Sequence, residues 1–253
     1  MPKPLSINLP IGSSIHKAVE VARGLNVSTG LAQSWVDRAG DVAGDWFSQE
    51  CSQPTDPDSG AEVLEIDLGS KFDNLGKAKD SVVALARFVV PRILKLDAQR
   101  GKLVGAEFNL LALPSPWPFK VEGRMDALYA DFLADHTKPE LATLSADLKT
   151  ASKQEAPDEF TAIGQGMYRQ FWYSRNLPHA ILADVASKAV KPSLVTYSLT
   201  ADDYGQKLVY ETVIEVAEDI SAGRFRPRPN WRCSYLHGFN EFQVAVSGFP
   251  EAD

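Results

Sequence analysis

Cysteine is scarce: Cys51 and Cys233 are the two in 253 residues. Two thiols so far apart exclude a disulfide framework of the kind that holds small secreted domains together, and they cannot supply a four-thiolate metal cluster. Long hydrophobic runs are missing as well. The segment Met1–Ile11 carries prolines and no apolar run of signal-peptide length. The most apolar stretch, Ser81–Leu94, is too short to cross a bilayer and is broken by Arg87 and Arg92. These absences predict a soluble, cytoplasmic chain with no membrane association. No internal repeat is visible, which excludes a solenoid, and no G-x-x-x-x-G-K-[ST] phosphate loop is present. An excess of positive charge is also lacking: 26 Lys and Arg face 33 Asp and Glu, a net charge of −7. Binding to a polyphosphate by overall charge is therefore excluded. Any contact with nucleic acid has to come from local basic patches or from bound metal, which returns positive charge to a carboxylate site.

What remains is ordinary for a globular protein, 44% apolar and 23% charged. The length suits one domain over 1–253, with a mostly helical part at 1–100 and a core with its closing segment at 101–253. Helices are expected from Ser13 to Arg23, capped by Ser13 or Ser14 and stopped by Gly24, and from Thr29 to Gln49, where Gly40 and Gly44 weaken the pattern. Gln53–Gly60 reads as a surface loop. A buried helix follows from Asn74 to Asp97, its apolar face marked by Val82, Leu85, Ala86, Val89, Val90 and Ile93, ending at Arg100-Gly101. The period then changes from 3.6 to 2. Lys102–Ala112, Lys120–Ala130 and Leu141–Thr150 read as strands, Glu159–Arg175 as a helix, Ala180–Ala189 and Ser193–Leu199 as strands, and a last helix starts at Thr200 to Asp203 and ends at Gly223. This order predicts an α/β fold, a mixed sheet with helices on its faces.

Three residues sit where apolar strands should not carry charge. Asp126 interrupts Gly123–Leu128, and Asp147 and Lys149 lie in Leu144–Thr150. Residues two apart on a strand share a face, so Asp147 and Lys149 project together, and pairing of the two strands brings Asp126 alongside. Paired carboxylates hold Mg²⁺ or Mn²⁺, and a neighbouring lysine suits phosphodiester hydrolysis, where it orients water or meets developing phosphate charge. D-x-K spacing alone also describes a salt bridge between exposed strand positions. The run Arg224, Arg226, Arg228 and Arg232, with Phe225 and Trp231 between, reads equally as a strand-tracking surface and as a solvated tail.

Val121-Glu122-Gly123-Arg124-Met125-Asp126, followed by Asp147-Leu148-Lys149-Thr150, resembles the G-x-x-D … D-x-K-T core of RecB-like PD-(D/E)XK nucleases. Gly12–Glu20 resembles the G-x-x-x-H-x-x-x-E early helical motif of that family, Gln165 and Tyr168 its later Gln–Tyr motif, and Gly223–Cys233 its closing segment. The matches run in order from about Gly12 to Phe242. The resemblance implies a restriction-endonuclease-like core, a central mixed sheet flanked by helices with an N-terminal helical elaboration. It implies Asp126 and Asp147 as metal ligands, His16 as a further metal ligand or active-site histidine, Lys149 as the catalytic lysine, and Mg²⁺ or Mn²⁺ as cofactor. Gln165 and Tyr168, spaced by three where the family shows four, would contact DNA or brace the lysine, with Glu20, Glu107, Arg226 and Arg228 as further site or DNA contacts. Many relatives carry a four-cysteine iron–sulfur cluster. Here Leu236 and Phe242 stand where cysteines would, and none precedes Gly12, so no cluster is expected. The implied activity is a stand-alone, metal-dependent DNA exonuclease of phage or mobile-element type, acting in recombination, repair or phage DNA processing. A structure-specific endonuclease and a catalytically silent DNA-binding or assembly module are the alternatives. DNA is the expected partner, and a homo-oligomer or a recombination partner protein is left open.

Overall fold

The computed structural model describes residues 5–24, 33–52, 66–69, 71–131, 133, 135, 137–151, 167–188, 191–199 and 203–224. The chain divides into two compact units, Met1–Tyr210 and Glu211–Asp253. The first contains a short parallel pair, β1 (Leu5–Ser6) with β2 (Ile66–Asp67), and three helices, α1 (Asn8–Gly24), α2 (Gln33–Ser52) and α3 (Leu75–Arg100). Its main sheet has five strands: β3 (Lys102–Asn109), β4 (Arg124–Ala130), β5 (Leu144–Ala151), β6 (Ala180–Ser187) and β7 (Leu194–Leu199). They lie in sequence order. Neighbours are antiparallel except β5 and β6, which run parallel in register from Leu144↔Ala180 to Ala151↔Ser187. A parallel pair needs a long crossover. The crossover here includes the helical residues 167–173, called α4. Helix α5 spans Asp203–Ser221, and the division between the units falls within it. In the second unit Arg224 pairs with Asp219 at 3.0 Å. The protein is thus α/β with a mixed five-stranded sheet flanked by helices. No described helix is long and apolar enough to cross a membrane.

The helical layer packs by periodicity. Ile11, Ile15, Ala18, Val19 and Ala22 of α1 meet Ala39, Ala43 and Phe47 of α2 and Ala78, Val82, Leu85, Ala86, Val89 and Ile93 of α3. Leu148 of β5 and Ala186 of β6 join this core, so one sheet face is covered by α1–α3. Ser145, three residues from Leu148, points to the other face, where it meets the buried His179 stacked on Trp172 of α4. Charge is buried on the helical side as well. Arg23 of α1 holds Asp97 of α3 through two hydrogen bonds, 2.9 and 3.1 Å, and donates to the Tyr129 hydroxyl at 3.2 Å. Tyr129 in turn donates to Asp97. Arg100 grips Asp184 of β6 through two bonds of 2.6 Å, and Thr196 of β7 donates to the same carboxylate. Both ion pairs are satisfied by further partners, the condition under which buried charge is tolerated.

Several boundaries differ from the sequence reading. Helix α1 starts at Asn8, not Ser13, because Pro10 in the first turn needs no donor. Ser13 and Ser14 are not caps: their hydroxyls bond back to the Pro10 carbonyl, at 3.3 and 2.5 Å. Gly40 and Gly44 belong to α2 because of close packing. A Cβ at Gly40 would lie 2.7 Å from Arg87 Nε, and one at Gly44 3.0 Å from Val83 Cγ2, both on α3. Strand β3 ends at Asn109, whose side chain caps a 3-10 turn at Leu110–Ala112, and β5 is preceded by another at Pro139–Leu141. Strand β4 begins at Arg124, not Lys120. The loop at 53–60, the first eight residues of the helix expected over Glu159–Arg175 and the closing segment beyond Arg224 lie outside the described residues.

Candidate metal centre

The site forms where β4 and β5 part. Their pairing closes at Ala127↔Ala146, so Asp126 and Asp147 follow on opposite strands just past the last pair. The Asp126 carboxylate fills the opening by accepting from Leu148 N at 2.6 Å. On the other side, Ala106↔Ala127 and Phe108↔Met125 set Glu107 opposite Asp126. Glu107 has φ 50°, the left-handed region that a branched or long side chain enters only when its surroundings hold it there.

Helix α1 delivers the fourth group. Arg23 Nη1 donates to the Asp126 carbonyl at 3.2 Å, tying the end of α1 to β4. Gly12, about three turns upstream, lets the helix lie against β5, since a Cβ there would be 3.2 Å from Thr150 Oγ1. Between these anchors His16 faces Asp126, with Nδ1 3.4 Å from Oδ2. One ligand atom each from His16, Glu107 and Asp126 lies within 4.8 Å of the other two, and all three side chains are half-buried. The set joins a helix to two strands about a hundred residues away.

Asp147 and Lys149 stand beside this cluster. Lys149 Nζ lies 2.7 Å from Asp147 Oδ2. The two form an ion pair in which the ammonium meets this buried oxygen, and no hydrogen bond from another described residue reaches it. Burial, and then the nearby Asp126 charge, raise the Asp147 pKa, with Lys149 and His16 opposing. Glu107 is raised for the same reasons, burial first, then Asp126 and Glu20. For Lys149 burial works against the charge, but Asp147 and Asp126 outweigh it, and its pKa is raised. Tyr168 on α4 feels Asp147, Lys149 and Asp126; burial and Asp147 keep its hydroxyl protonated. Its ring lies over Gly123, where a Cβ would be 3.1 Å from Cε1. Crowded carboxylates whose ionised forms resist one another are what a divalent cation relieves, and oxygen donors with one imidazole suit Mg²⁺ or Mn²⁺.

The structure therefore brings together His16, Glu107 and Asp126, with Asp147, Lys149 and Tyr168 alongside. Glu20 is near enough to influence Glu107, while its carboxylate pairs with Lys17 at 2.9 Å. Gln165, Arg226 and Arg228 lie outside the described residues. Sequence reasoning missed Arg23 as the brace of the site. The signal was there: Arg23 continues the buried stripe Ile15–Val19 at a spacing of four, where a charge needs a buried partner.

No family model and no curated protein matches the sequence. Among solved structures, the chain is similar to a "Putative exonuclease" from Eubacterium rectale, at 11% identity and a TM-score of 0.43 over 97% of this chain and 94% of that one. A likeness of that strength transfers neither fold detail nor activity.

Proposed function

We propose that the protein is a divalent-metal-dependent DNA nuclease of the RecB-like PD-(D/E)XK kind, most readily an exonuclease. The observation that supports this most is the meeting of His16 with Asp126 and Glu107, residues that the sequence separates by about a hundred positions. A salt bridge between two strands would not recruit a histidine from α1. Asp147 favours the same reading, since its carboxylate is buried and crowded by Asp126 even with Lys149 beside it, and a divalent cation relieves such crowding.

Asp126, Glu107 and His16 would hold the metal, with Asp147 beside them. Mg²⁺ or Mn²⁺ there would neutralise phosphate charge and acidify water. Lys149, held beside Asp147, donates to charge developing on the phosphate. Tyr168, kept protonated, offers a second donor near Asp147 and Lys149. Arg23 fixes the Asp126 backbone, so the ligand stays in place as charge moves. Gln165, Arg226 and Arg228 complete the reading as DNA contacts.

The test is digestion of linear, nicked-circular and closed-circular duplex DNA and of single-stranded DNA, with Mg²⁺, with Mn²⁺ and with chelator, beside Lys149→Ala. Metal-dependent loss of linear DNA that spares circles and vanishes in the variant supports an exonuclease. Cut circles move the protein to the endonuclease reading. Intact DNA in every tube overturns the proposal.

A further inference from the structure

On the helical side of the sheet lies a cavity of about 370 Å³, lined by Lys71, Phe72, Ser81, Ala84, Leu85, Lys188 and Pro192. Its size falls within the span of small-molecule sites, roughly 300–1,000 Å³. Ser81, Ala84 and Leu85 follow the i, i+3, i+4 spacing of one face of α3 and form the floor. Phe72 comes from the segment before α3, and Lys188 from the end of β6, where its backbone N–H bonds the Ala151 carbonyl at 2.8 Å.

The two lysines are what the fold does not explain. Lys188 is half-buried, and its ammonium meets one neutral acceptor, Asn8 Oδ1, at 3.2 Å. Among the described residues neither Lys188 nor Lys71 has a carboxylate within ion-pair distance. Burial, and then the Lys71 charge, lower the Lys188 pKa. Lys188 is the half-buried cation of the two, Lys71 is exposed and near enough to repel it, and an anion in the cavity would relieve that repulsion. A phosphate monoester carries about −1.5 to −2 near neutral pH, close to the two positive charges. The Phe72 ring, Leu85 and Pro192 leave an apolar wall for a flat body, and Ser81 adds a hydroxyl.

We infer that this cavity binds a nucleoside monophosphate, its phosphate between Lys71 and Lys188 and its base against Phe72. The choice of a nucleotide over other phosphorylated flat ligands rests on the nuclease reading; the call for a phosphate does not. The site uses none of the metal-centre residues.

Calorimetric titration in chelator, with dAMP, deoxyadenosine and inorganic phosphate as separate ligands, tests it. Saturable binding of dAMP is expected, with deoxyadenosine and phosphate each weaker by at least about tenfold, the loss of one charged hydrogen bond. Lys71→Gln, at an exposed position that cannot unfold the chain, and Lys188→Gln should each weaken dAMP by about tenfold or more. Lys188→Arg should retain binding, and Asp147→Asn should leave it unchanged. Absence of dAMP binding, equal affinity for phosphate alone, or binding that survives both glutamine variants overturns the inference. The titration contains no metal, so a failed digestion assay and a failed titration are separate results.

Discussion

Acidification should reveal a histidine that the fold keeps neutral. His179 is buried, stacked on Trp172 with ring centroids 3.8 Å apart and planes 7° from parallel. Its Nδ1 lies 3.1 Å from the Ala142 carbonyl, which can only accept, so Nδ1 carries the proton. Nε2, 3.1 Å from Ser145 Oγ, is then the acceptor of the serine hydroxyl. A second proton on Nε2 would make the Ser145 hydroxyl turn its own proton away and accept instead. Stacking on Trp172 favours the cation by about 0.5–2 kcal/mol, but burial is the larger effect and Arg169 adds to it. The imidazole is held down at about 4 against an ordinary 6.5.

Because the folded value lies below the unfolded one, the stabilisation is complete above pH 6.5 and is lost as pH falls towards 4. At about 1.4 kcal/mol for each tenfold change in proton affinity, that loss is about 3 kcal/mol. Other carboxylates also weaken the fold in acid, so the measurement is a difference. Urea unfolding of wild type and His179→Gln is compared at pH values from 7 to 4, with the imidazole followed by NMR. Wild type should lose about 3 kcal/mol more than the variant across that window. Parallel profiles, or an imidazole in the folded protein that titrates near its ordinary value, would refute the reasoning.

Three further outcomes follow from the geometry. Arg23→Met leaves Asp97 without its main partner and should cost about 3–5 kcal/mol in denaturant unfolding, part of it recovered in Arg23→Met/Asp97→Leu; no recovery would mean the arginine acts by packing. Gly101→Ala should cost at least about 2 kcal/mol, because φ is 127° and a Cβ would lie 2.3 Å from the Ala130 carbonyl. Glu107→Gln removes a carboxylate whose ionised form is opposed by burial and Asp126, so the metal-free protein should melt higher and gain less from added Mg²⁺; an unchanged response to Mg²⁺ would remove Glu107 from the ligand set.

Periodicity carried most of the fold. The buried face of α3 and strands β3–β7 were legible because long amphipathic and alternating patterns leave little choice of partner. What escaped was set by contacts between distant segments. The β1–β2 pair is two residues long on each side and has no pattern to read. Gly40 and Gly44 look like helix breakers until α3 is seen to press against them. The early start of α1 depends on where Pro10 falls in the first turn, which propensity alone does not fix. In the site, Asp126, Asp147 and Lys149 were visible as charges in apolar strands. The part played by Glu107 was less visible, because it depends on register and on a backbone conformation that no local sequence rule demands of glutamate.

The helical layer and the candidate metal site are not independent, and this decides which variants are informative. Arg23 serves both: it closes the buried Asp97 ion pair and holds the Asp126 carbonyl. A lost activity in Arg23→Met therefore says little, since a loosened α1 moves His16 as well. Lys149 contacts neither the Arg23 nor the Arg100 network, and its side chain is 45% exposed. Its removal takes the ion-pair partner from Asp147, but the lysine is partly exposed and the carboxylate can take up a proton, so the cost should stay near the ~1 kcal/mol of a partly exposed pair. Digestion by Lys149→Ala thus reads chemistry with the scaffold held constant. If that variant unfolds early, its lysine is holding Asp147 in the fold, and the salt-bridge reading of the D-x-K pair gains at the expense of the catalytic one.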